Sequence, residues 1–327
     1  MEYLIAVPWM FRGKAAKEIN FNVSKEFEDG YMLGSSGDKE IVLKNAKNSI
    51  FIHNIFPVQI KKDNFNLESL GDLAKEFDNL KILKKSKSFA IETAAYRSEV
   101  KTRDFEVKFG QKLESLGYSV DLNKPEQIVY AFLHDKEVYL GCLNKNEVIY
   151  RYLDNSKVFS KIKNRLNRAQ YKLVEALDRF NMNIDDGLAL DIGAAPGGWT
   201  TELLNHGFKV YAIDPANLDD SLERNENVIH IKDKIENVDF KGLQFDVIVN
   251  DMNSDPVESA KIMVDNSKYL KKGGLAIMTA KLVTKNVDRF IKDVLDIIKD
   301  EYFIKTIKHL QQNRQEITFI LEKNKVR

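Results

Sequence analysis

The sequence has little of several features that would narrow its class at once. Cys142 is the single cysteine in 327 residues, which excludes an internal disulfide and a cysteine-rich zinc site. Five histidines without metal-ligand spacing lead us to expect no metal. No apolar run reaches the roughly 18 residues of a membrane helix, and the first residues lack the pattern of a secretory signal. We therefore expect a cytoplasmic protein without a membrane span.

An excess of charge of one sign is also missing. The 50 lysines and arginines are balanced by 49 acidic residues, which leaves a net charge of +1. This balance argues against a protein that coats nucleic acid through bulk positive charge. A basic site must then be local, and the strongest basic run without an acidic residue is 156–172, SKVFSKIKNRLNRAQYK. Such a run is ordinarily a solvated helix face, and we expect a basic helix here.

The pattern along the chain changes near its middle. From Gly187 onward, short β-rich runs alternate with helical patterns, which predicts a doubly wound, mostly parallel α/β sheet. The last two strand-like runs, 303–309 and 317–322, have no helix between them and predict an antiparallel hairpin at the sheet edge. A chain of this length favours two or three units.

The first 150 residues predict a smaller α+β region. Helical patterns lie near 67–80 and 103–116. Strand candidates lie at 3–7, 41–43, 50–60, 89–94, 128–133 and 137–143. We predict domain boundaries at 1–60, 61–153 and 154–327.

A glycine-rich loop at 191–199, DIGAAPGGW, follows a β-run and opens a helix, where doubly wound sheets hold ligands. It departs from the dinucleotide fingerprint, because Ala195 replaces a glycine and Pro196 stiffens the loop. Asp214 ends the next strand, where a carboxylate can accept hydrogen bonds from ribose hydroxyls, and Asp233 follows the third strand. Together these residues predict a nucleoside-like cofactor.

The motif DIGAAPGGW, preceded by NRAQYKL and followed by NDM, AKL and RQEITFIL, resembles the FtsJ-like family of RNA 2′-O-ribose methyltransferases over about 164–323. Within this family, the resemblance is to the bacterial subgroup that methylates a cytidine ribose of 23S large-subunit ribosomal RNA (RlmM type). The subgroup's N-terminal extension contains a THUMP domain, an RNA-binding module, which 61–153 resembles. The resemblance implies a Rossmann-like domain, S-adenosyl-L-methionine (SAM) as cofactor, and ribosomal RNA or a precursor particle as partner. We expect a monomer.

The resemblance also assigns site residues. The catalytic tetrad falls on Lys172, Asp251, Lys281 and Glu316. The cofactor-binding residues are Asp191, Gly193, Ala195, Pro196, Gly197, Gly198, Trp199, Asp214, Asp233 and Asp251. Lys281 ends the strand GLAIMTAK and is our candidate for the general base, since Lys172 would supply a like charge that favours its neutral amine. Singly, each tetrad residue is more ordinarily a surface lysine or a capping carboxylate; their joint placement at strand ends favours a site.

We expect the basic run to contact the RNA phosphates without reading sequence. Its proposed contacts are Lys157, Lys161, Lys163, Arg165 and Arg168, together with the lysines of 81–87. Three alternatives stay open: a transfer RNA or other RNA as substrate, a non-catalytic relative that binds RNA or SAM, and a small-molecule methyltransferase. Loss of a tetrad residue or of the loop glycines would indicate the second, and neither is seen. The third would need neither the basic run nor an appended α+β module.

Overall fold

The computed structural model describes residues 1–28, 30–154, 156–160, 162, 165–282 and 286–324. They form two compact units, Met1–Lys157 and Val158–Arg327. Each unit has its own buried apolar clusters, so each can be described by itself. Among the described helices, none is both long and apolar enough to cross a membrane.

The first unit begins with a four-stranded antiparallel sheet in the order β2-β3-β1-β4. Its elements are β1 (Glu2–Ala6), α1 (Arg12–Glu18), β2 (Asn22–Glu26), β3 (Tyr31–Ser35), α2 (Lys39–Asn48) and β4 (Asn54–Pro57). The sequence prediction missed α1, β2 and β3. Strand β2 is a polar edge strand with almost no buried side chain, so it lacks the alternation that identifies a half-buried strand.

The strand expected at 41–43 is wrong, because these residues lie inside α2. Asp38 caps this helix: its carboxylate accepts hydrogen bonds from the backbone amides of Glu40 and Ile41. Val42 and Ala46, four residues apart, are buried on one helix face. The cap and this spacing outweigh the β propensity of the isoleucine and valine.

The second sheet of this unit has the order β5-β8-β7-β6, with β6 and β7 parallel and the other pairs antiparallel. Its elements are β5 (Ile60–Lys62), α3 (Leu70–Asn79), β6 (Phe89–Tyr96), α4 (Thr102–Ser115), β7 (Gln127–His134) and β8 (Glu137–Asn144). The predicted helices near 67–80 and 103–116 and the last three predicted strands are confirmed. The single run expected at 50–60 is instead divided, since β4 and β5 belong to different sheets.

The second unit contains a seven-stranded sheet in the order β11-β10-β9-β12-β13-β15-β14. Its strands are β9 (Gly187–Ile192), β10 (Phe208–Ile213), β11 (Val228–Ile231), β12 (Phe245–Asn250), β13 (Leu270–Lys281), β14 (Tyr302–Lys308) and β15 (Glu316–Lys323). The first five are parallel, and β15 pairs antiparallel with both β13 and β14. The predicted doubly wound sheet with an antiparallel edge hairpin is therefore confirmed.

Helices alternate with these strands as the pattern predicts. They are α5 (Ser156–Phe159), α6 (Arg168–Arg179), α7 (Gly198–Asn205), α8 (Asp220–Glu223), α9 (Pro256–Asn266) and α10 (Val287–Ile298). The basic helix expected across 156–172 is wrong: α5 ends at Phe159, and α6 begins only at Arg168. Asn167 sets this start, because its side chain accepts a hydrogen bond from the amide of Gln170 and caps the helix.

Candidate active site

A pocket of about 430 Å³ lies at the carboxyl ends of the parallel strands β9, β10 and β12. This is the edge where an open α/β sheet binds its ligands. Its lining residues are Ile192, Gly193, Ala195, Ile213, Asp214, Pro215, Asp233, Lys234, Ile235, Glu236, Asp251, Met252, Asn253 and Glu258. Isoleucines at three strand or helix positions give the pocket an apolar part, and the carboxylates give it a negative part.

The loop between β9 and α7 follows the bottom of this pocket. Gly193 and Gly197 have positive φ angles of 74° and 113°, a region that side chains rarely adopt. A Cβ atom at Gly193 would collide with the side chain of Met252, and one at Gly197 would collide with Leu222. Both positions therefore need glycine, and the bare backbone lets a ligand approach closely.

Asp214 follows β10 and joins this loop to the pocket. Its carboxylate accepts hydrogen bonds from the backbone amides of Ala195, at 3.1 Å, and Ala216, at 2.8 Å. A carboxylate has about four lone-pair positions, so these two bonds leave room for ribose hydroxyls. Asp233 also lines the pocket, where Asn237 Nδ2 and the amide of Lys234 donate to it at 2.7 Å. These bonds, with that of Asn237 first, lower the pKa of Asp233 and keep it ionised.

Asp191 is the next-to-last residue of β9 and lies outside the pocket lining. Thr200 Oγ1, on α7, donates a hydrogen bond of 2.7 Å to its carboxylate, and the residue is 1% exposed. Burial raises the pKa of Asp191 to about 7, and the nearby charges of Asp251 and Asp214 add to this effect. Asp191 therefore links the end of β9 to the first turn of α7.

The ten predicted cofactor residues thus divide into two sets. Those that line the pocket are Gly193, Ala195, Asp214, Asp233 and Asp251. Those that lie outside its lining are Asp191, Pro196, Gly197, Gly198 and Trp199. The Trp199 indole is 3% exposed and packs in the apolar core, where its Nε1 donates to the carbonyl of Ala169 at 2.9 Å.

The four residues of the expected tetrad come together at the rim of the pocket. Lys172 Nζ lies 3.1 Å from both carboxylate oxygens of Asp251 and 2.8 Å from Glu316 Oε1. Lys281 Nζ lies 3.7 Å from Asp251 Oδ1, beyond hydrogen-bonding distance. Asp251 belongs both to the tetrad and to the pocket lining, so it joins the two.

The fold explains this meeting of distant residues. Lys281 ends β13, and the antiparallel register places Glu316, the first residue of β15, directly opposite it. Asp251 follows the last residue of the neighbouring strand β12, and Lys172 extends from α6. A sheet edge and one helix therefore bring together residues that are up to 144 positions apart, as in the pair Lys172–Glu316.

The electrostatics of the cluster keep Lys172 charged. Burial alone lowers the pKa of its ammonium, but the charges and hydrogen bonds of Asp251 and Glu316 outweigh burial and raise it. For Glu316, burial raises the pKa, and the hydrogen bond and charge of Lys172, with the charge of Lys281, lower it overall. Lys172 and Glu316 therefore form a buried ion pair, and Lys281 is the more exposed of the two lysines, 21% against 12%.

Thr279 is a member of the site that the sequence prediction missed. Its Oγ1 donates a hydrogen bond of 2.6 Å to Asp251 Oδ1, the oxygen that also faces Lys281. Thr279 and Lys281 are two positions apart on β13, and alternate residues of a strand share one face. This alternation is the sequence signal that could have identified Thr279 as a member of the site. The pocket residues that follow the strands, such as Met252 and Asn253, carry no comparable signal.

The predicted phosphate contacts have different surroundings. Arg165 and Arg168 are exposed, and Arg165 Nη2 donates to the carbonyl of Phe159 at 2.9 Å. Lys161 and Lys163 lie outside the described residues. Lys157 belongs to the first unit, where its ammonium forms ion pairs with Glu92, at 2.8 Å, and Glu106, at 2.9 Å. Its charge is balanced there, which argues against a phosphate contact.

Within the part of the chain that the structure describes, no group of three or more histidine, cysteine, aspartate or glutamate side chains could hold a metal ion. The side chains that meet at the site are two lysines, two carboxylates and a threonine, beside a pocket with an apolar and an acidic part.

Comparison with known families assigns both halves of the chain. The model described as FtsJ-like methyltransferase matches residues 165–319, and the model described as THUMP domain matches 64–143. The chain contains an FtsJ-like methyltransferase domain and a THUMP domain. The cofactor of the FtsJ-like domain is SAM, and the pocket fits it: carboxylates can accept from ribose hydroxyls, and they complement a sulfonium cation.

Two relatives each match about half of the chain. A protein of Methanocaldococcus jannaschii, MJ1257, is 38% identical over 172 residues, 50% of this chain and 48% of its own length. Ribosomal RNA large subunit methyltransferase M of Laribacter hongkongensis is 30% identical over 176 residues, 47% of each chain. The chain thus spans about half the length of these relatives.

Two further similarities cover more of the chain. The enzyme named ribosomal RNA large subunit methyltransferase M of Histophilus somni is 28% identical over 265 residues, 72% of this chain and 70% of its own. Among solved structures, TrmN of Thermus thermophilus covers 99% of this chain and 100% of its own, with a TM-score of 0.41 and 14% identity. Nothing about substrate follows from similarity at that level.

Proposed function

We propose that this protein transfers a methyl group from SAM to a ribose 2′-hydroxyl of RNA. The observation that carries the proposal is the cluster of Lys172, Asp251, Lys281 and Glu316 beside the pocket. An alcohol is a weak acid, so its methylation needs a base held next to the reacting oxygen. The two lysines at this rim supply a candidate base, and the two carboxylates hold the lysine side chains in place.

Lys281 is the base in this proposal. When bound, SAM supplies a methyl group on a sulfonium sulfur. The 2′-oxygen bonds to the methyl carbon as the carbon–sulfur bond breaks, and the hydroxyl proton moves to Lys281 Nζ. Lys172 stays protonated because of Asp251 and Glu316, which leaves Lys281 as the lysine of the cluster that accepts the proton. Asp251 Oδ1 lies 3.7 Å from Lys281 Nζ and holds this side chain beside the pocket.

We further propose that Gly193, Ala195, Asp214, Asp233 and Asp251 contact the cofactor, because they line the pocket. Asp191, Pro196, Gly197, Gly198 and Trp199 would act indirectly, by shaping the loop and packing α7 against the sheet. The carboxylates accept hydrogen bonds from the ribose hydroxyls in this proposal, and Gly193 lets the cofactor approach the backbone closely.

The proposed substrate is ribosomal RNA, most specifically a cytidine of 23S large-subunit RNA. Two observations support this class of substrate: the THUMP match, and the names of the related enzymes of Laribacter hongkongensis and Histophilus somni. We propose that 61–153 delivers RNA, that 1–60 forms a separate lobe, and that 154–327 carries the chemistry. Lys161, Lys163, Arg165 and Arg168 remain the proposed phosphate contacts, and Lys157 is withdrawn.

The experiment measures transfer from methyl-labelled SAM to unmodified large-subunit ribosomal RNA, with the product digested to nucleosides. We expect label in 2′-O-methylcytidine. Lys281→Ala should lower kcat by about 100-fold or more, since a positioned base contributes about two to four powers of ten. Label on a nucleobase would overturn the proposed reaction, and label on transfer RNA alone would move the substrate.

Two controls distinguish loss of the general base from loss of the folded structure. Lys292→Ala removes an exposed lysine of α10 that is paired with Asp296, and it should leave kcat unchanged. Binding of SAM to Lys281→Ala should stay within about twofold of the natural protein, because Lys281 does not line the pocket. Full activity in Lys281→Ala would exclude this lysine as the base.

A further inference from the structure

A buried carboxylate on α6 binds the turn that leads to the tetrad. Lys172, Glu175 and Arg179 lie on one face of this helix, at spacings of three and four residues. The Glu175 side chain is completely buried, and its two oxygens accept hydrogen bonds from the backbone amides of Gln311, at 2.9 Å, and Gln312, at 3.0 Å. Arg179 Nη2 lies 3.3 Å from Glu175 Oε1.

The turn that Glu175 holds joins β14 to β15, and Glu316 is the first residue after it. Internal bonds make the turn a defined unit: His309 Nε2 lies 3.2 Å from the carbonyl oxygen of Arg314, and Asn313 Nδ2 donates to Thr318 Oγ1 at 3.0 Å. A shift of the amides that bind Glu175 would therefore move Glu316 as well.

The same helix and the same turn meet a second time at the active site. One helical turn before Glu175, Lys172 Nζ binds Glu316 Oε1 at 2.8 Å. Apolar contacts of Ala176 with Leu310 and Ile320 already pack these elements together. A buried ion pair seldom stabilises a protein more than apolar packing would. Hydrogen bonds from two successive backbone amides, however, fix the orientation of the turn relative to α6.

We propose that Glu175 is a positioning residue for methyl transfer, which holds Glu316 against Lys172 so that Lys172 remains protonated beside Lys281. This inference rests on the proposed function for its catalytic consequence. Its structural consequence, the state of the Lys172–Glu316 pair, can be measured without turnover.

The sign of the effect follows from the surroundings of Lys172. Two carboxylates, Asp251 and Glu316, raise the pKa of its ammonium against the opposing effect of burial. If Glu316 moves away, burial remains and the charge and hydrogen bond of Glu316 are lost, so Lys172 should release its proton at lower pH. Since Lys172 must be charged and Lys281 neutral, the alkaline limb of the kcat profile should report this loss.

The test compares Glu175→Gln with Glu202→Gln. Glu202 is a matched control: it is buried on α7 and also binds α6, through Gln170 Nε2 at 3.0 Å, on a face away from the tetrad. The two hydrogen bonds from the backbone amides of Gln311 and Gln312 to Glu175 are called the clamp below. In Glu175→Gln, the side-chain NH2 group cannot accept a hydrogen bond from a backbone N–H, so one bond of the clamp is lost. Both variants should lose stability, so stability alone does not distinguish them.

Two readouts do distinguish them. In Glu175→Gln we expect kcat to fall by about 10- to 100-fold with KM for SAM nearly unchanged, and the alkaline limb to move down by about one pH unit. NMR titration of 15N-labelled lysine side chains should show the Lys172 midpoint moving the same way. Glu202→Gln should keep the natural profile and midpoint.

The outcomes separate the two proposals. A natural protein without methyl transfer to any RNA, but with a lowered Lys172 midpoint in Glu175→Gln, would refute the proposed function and support the clamp. An active natural protein whose profile and Lys172 midpoint are unchanged by Glu175→Gln would refute the clamp. A midpoint lowered equally in Glu202→Gln would also refute it, because the effect would then be general destabilisation.

Discussion

Asp191 is a carboxylate whose environment opposes its ionisation. In the folded protein burial raises its pKa from 3.8 to about 7. A raised acid pKa contributes stability that is complete below the unfolded pKa and is lost as pH rises through the folded pKa. The free energy of unfolding should therefore fall between about pH 4 and pH 7 because of this residue, by up to about 4 kcal/mol.

The residue-scale prediction is that Asp191→Asn removes this pH dependence. Relative to the natural protein, the variant should gain stability from about pH 5 to pH 7 and then keep a constant difference up to about pH 8, because asparagine stays neutral in both states. Urea unfolding of both proteins across this range measures the difference. A constant difference between the two would show that Asp191 is already ionised at pH 5.

Asp246 provides a control of opposite sign. Burial raises its pKa, but Lys271, at 2.7 Å, and the amide of Leu188 lower it overall. Its folded and unfolded forms are therefore both ionised above pH 5 or so. The stability difference between the natural protein and Asp246→Asn should stay constant over the range in which Asp191→Asn changes.

Helix α6 carries much of the site, and its first turn is set by one side chain. Asn167 caps the helix, and its Oδ1 lies where a Cβ atom of Gly198 would be, so the cap also fits the start of α7. Lys172 follows this cap on the same helix, and its Nζ lies 3.1 Å from Asp251 Oδ2. A fault here should affect the chemistry as well as stability.

The element-scale prediction compares Asn167→Ala with Asp38→Ala, the corresponding cap of α2 in the first unit. Each should lower stability by about 1 kcal/mol, the usual contribution of a helix cap. Asn167→Ala should also lower kcat, because Lys172 follows within two turns, and Asp38→Ala should not. Thermal unfolding and methyl transfer measure both effects. If the kcat of Asn167→Ala equals that of Asp38→Ala, packing alone positions α6.

Long periodic segments of the second unit could be predicted from sequence, and capped or polar segments could not. The parallel strands follow from apolar runs with intervening helices, and the edge hairpin follows from two strand-like runs with no helix between them. The basic run at 156–172 was misjudged because charge periodicity does not reveal where a helix starts; the cap at Asn167 does. The strand prediction at 41–43 was wrong for the same reason, since Asp38 caps a helix that begins at Lys39.

The tetrad shows what motif resemblance adds to local pattern. Strand ends could be located from sequence, and these identify Asp251 and Lys281 as neighbours at one sheet edge. The register that places Glu316 opposite Lys281 depends on the antiparallel hairpin, and the role of Thr279 depends on a side-chain rotation. Such details need coordinates, because propensities and periodicity carry no information on rotamers.

The charge of the whole molecule is balanced, with a net charge of +1, so the proposed RNA binding requires restricted basic surfaces. Arg165 and Arg168 are exposed, and they are the proposed contacts on one such surface. Lys157 belongs to an ion-pair group of the first unit with Glu92 and Glu106. Neighbouring basic residues of the same run therefore have different surroundings.

The corresponding prediction concerns salt dependence. The double variant Arg165→Ala/Arg168→Ala should weaken RNA binding and reduce the slope of log affinity against log salt by about 2, one for each phosphate contact. Lys157→Ala should lower the stability of the first unit and leave the slope unchanged. Binding titrations at several salt concentrations test both. An unchanged slope in the double variant would place the RNA surface elsewhere.

We propose the 2′-hydroxyl of a ribose, a group that DNA lacks, as the acceptor of the methyl group. Methyl transfer from labelled SAM should be compared between a large-subunit ribosomal RNA transcript and DNA of the same sequence. We predict label in the RNA, recovered as a 2′-O-methyl nucleoside, and none in the DNA. Methylated DNA, or label on a base of the RNA, would contradict it.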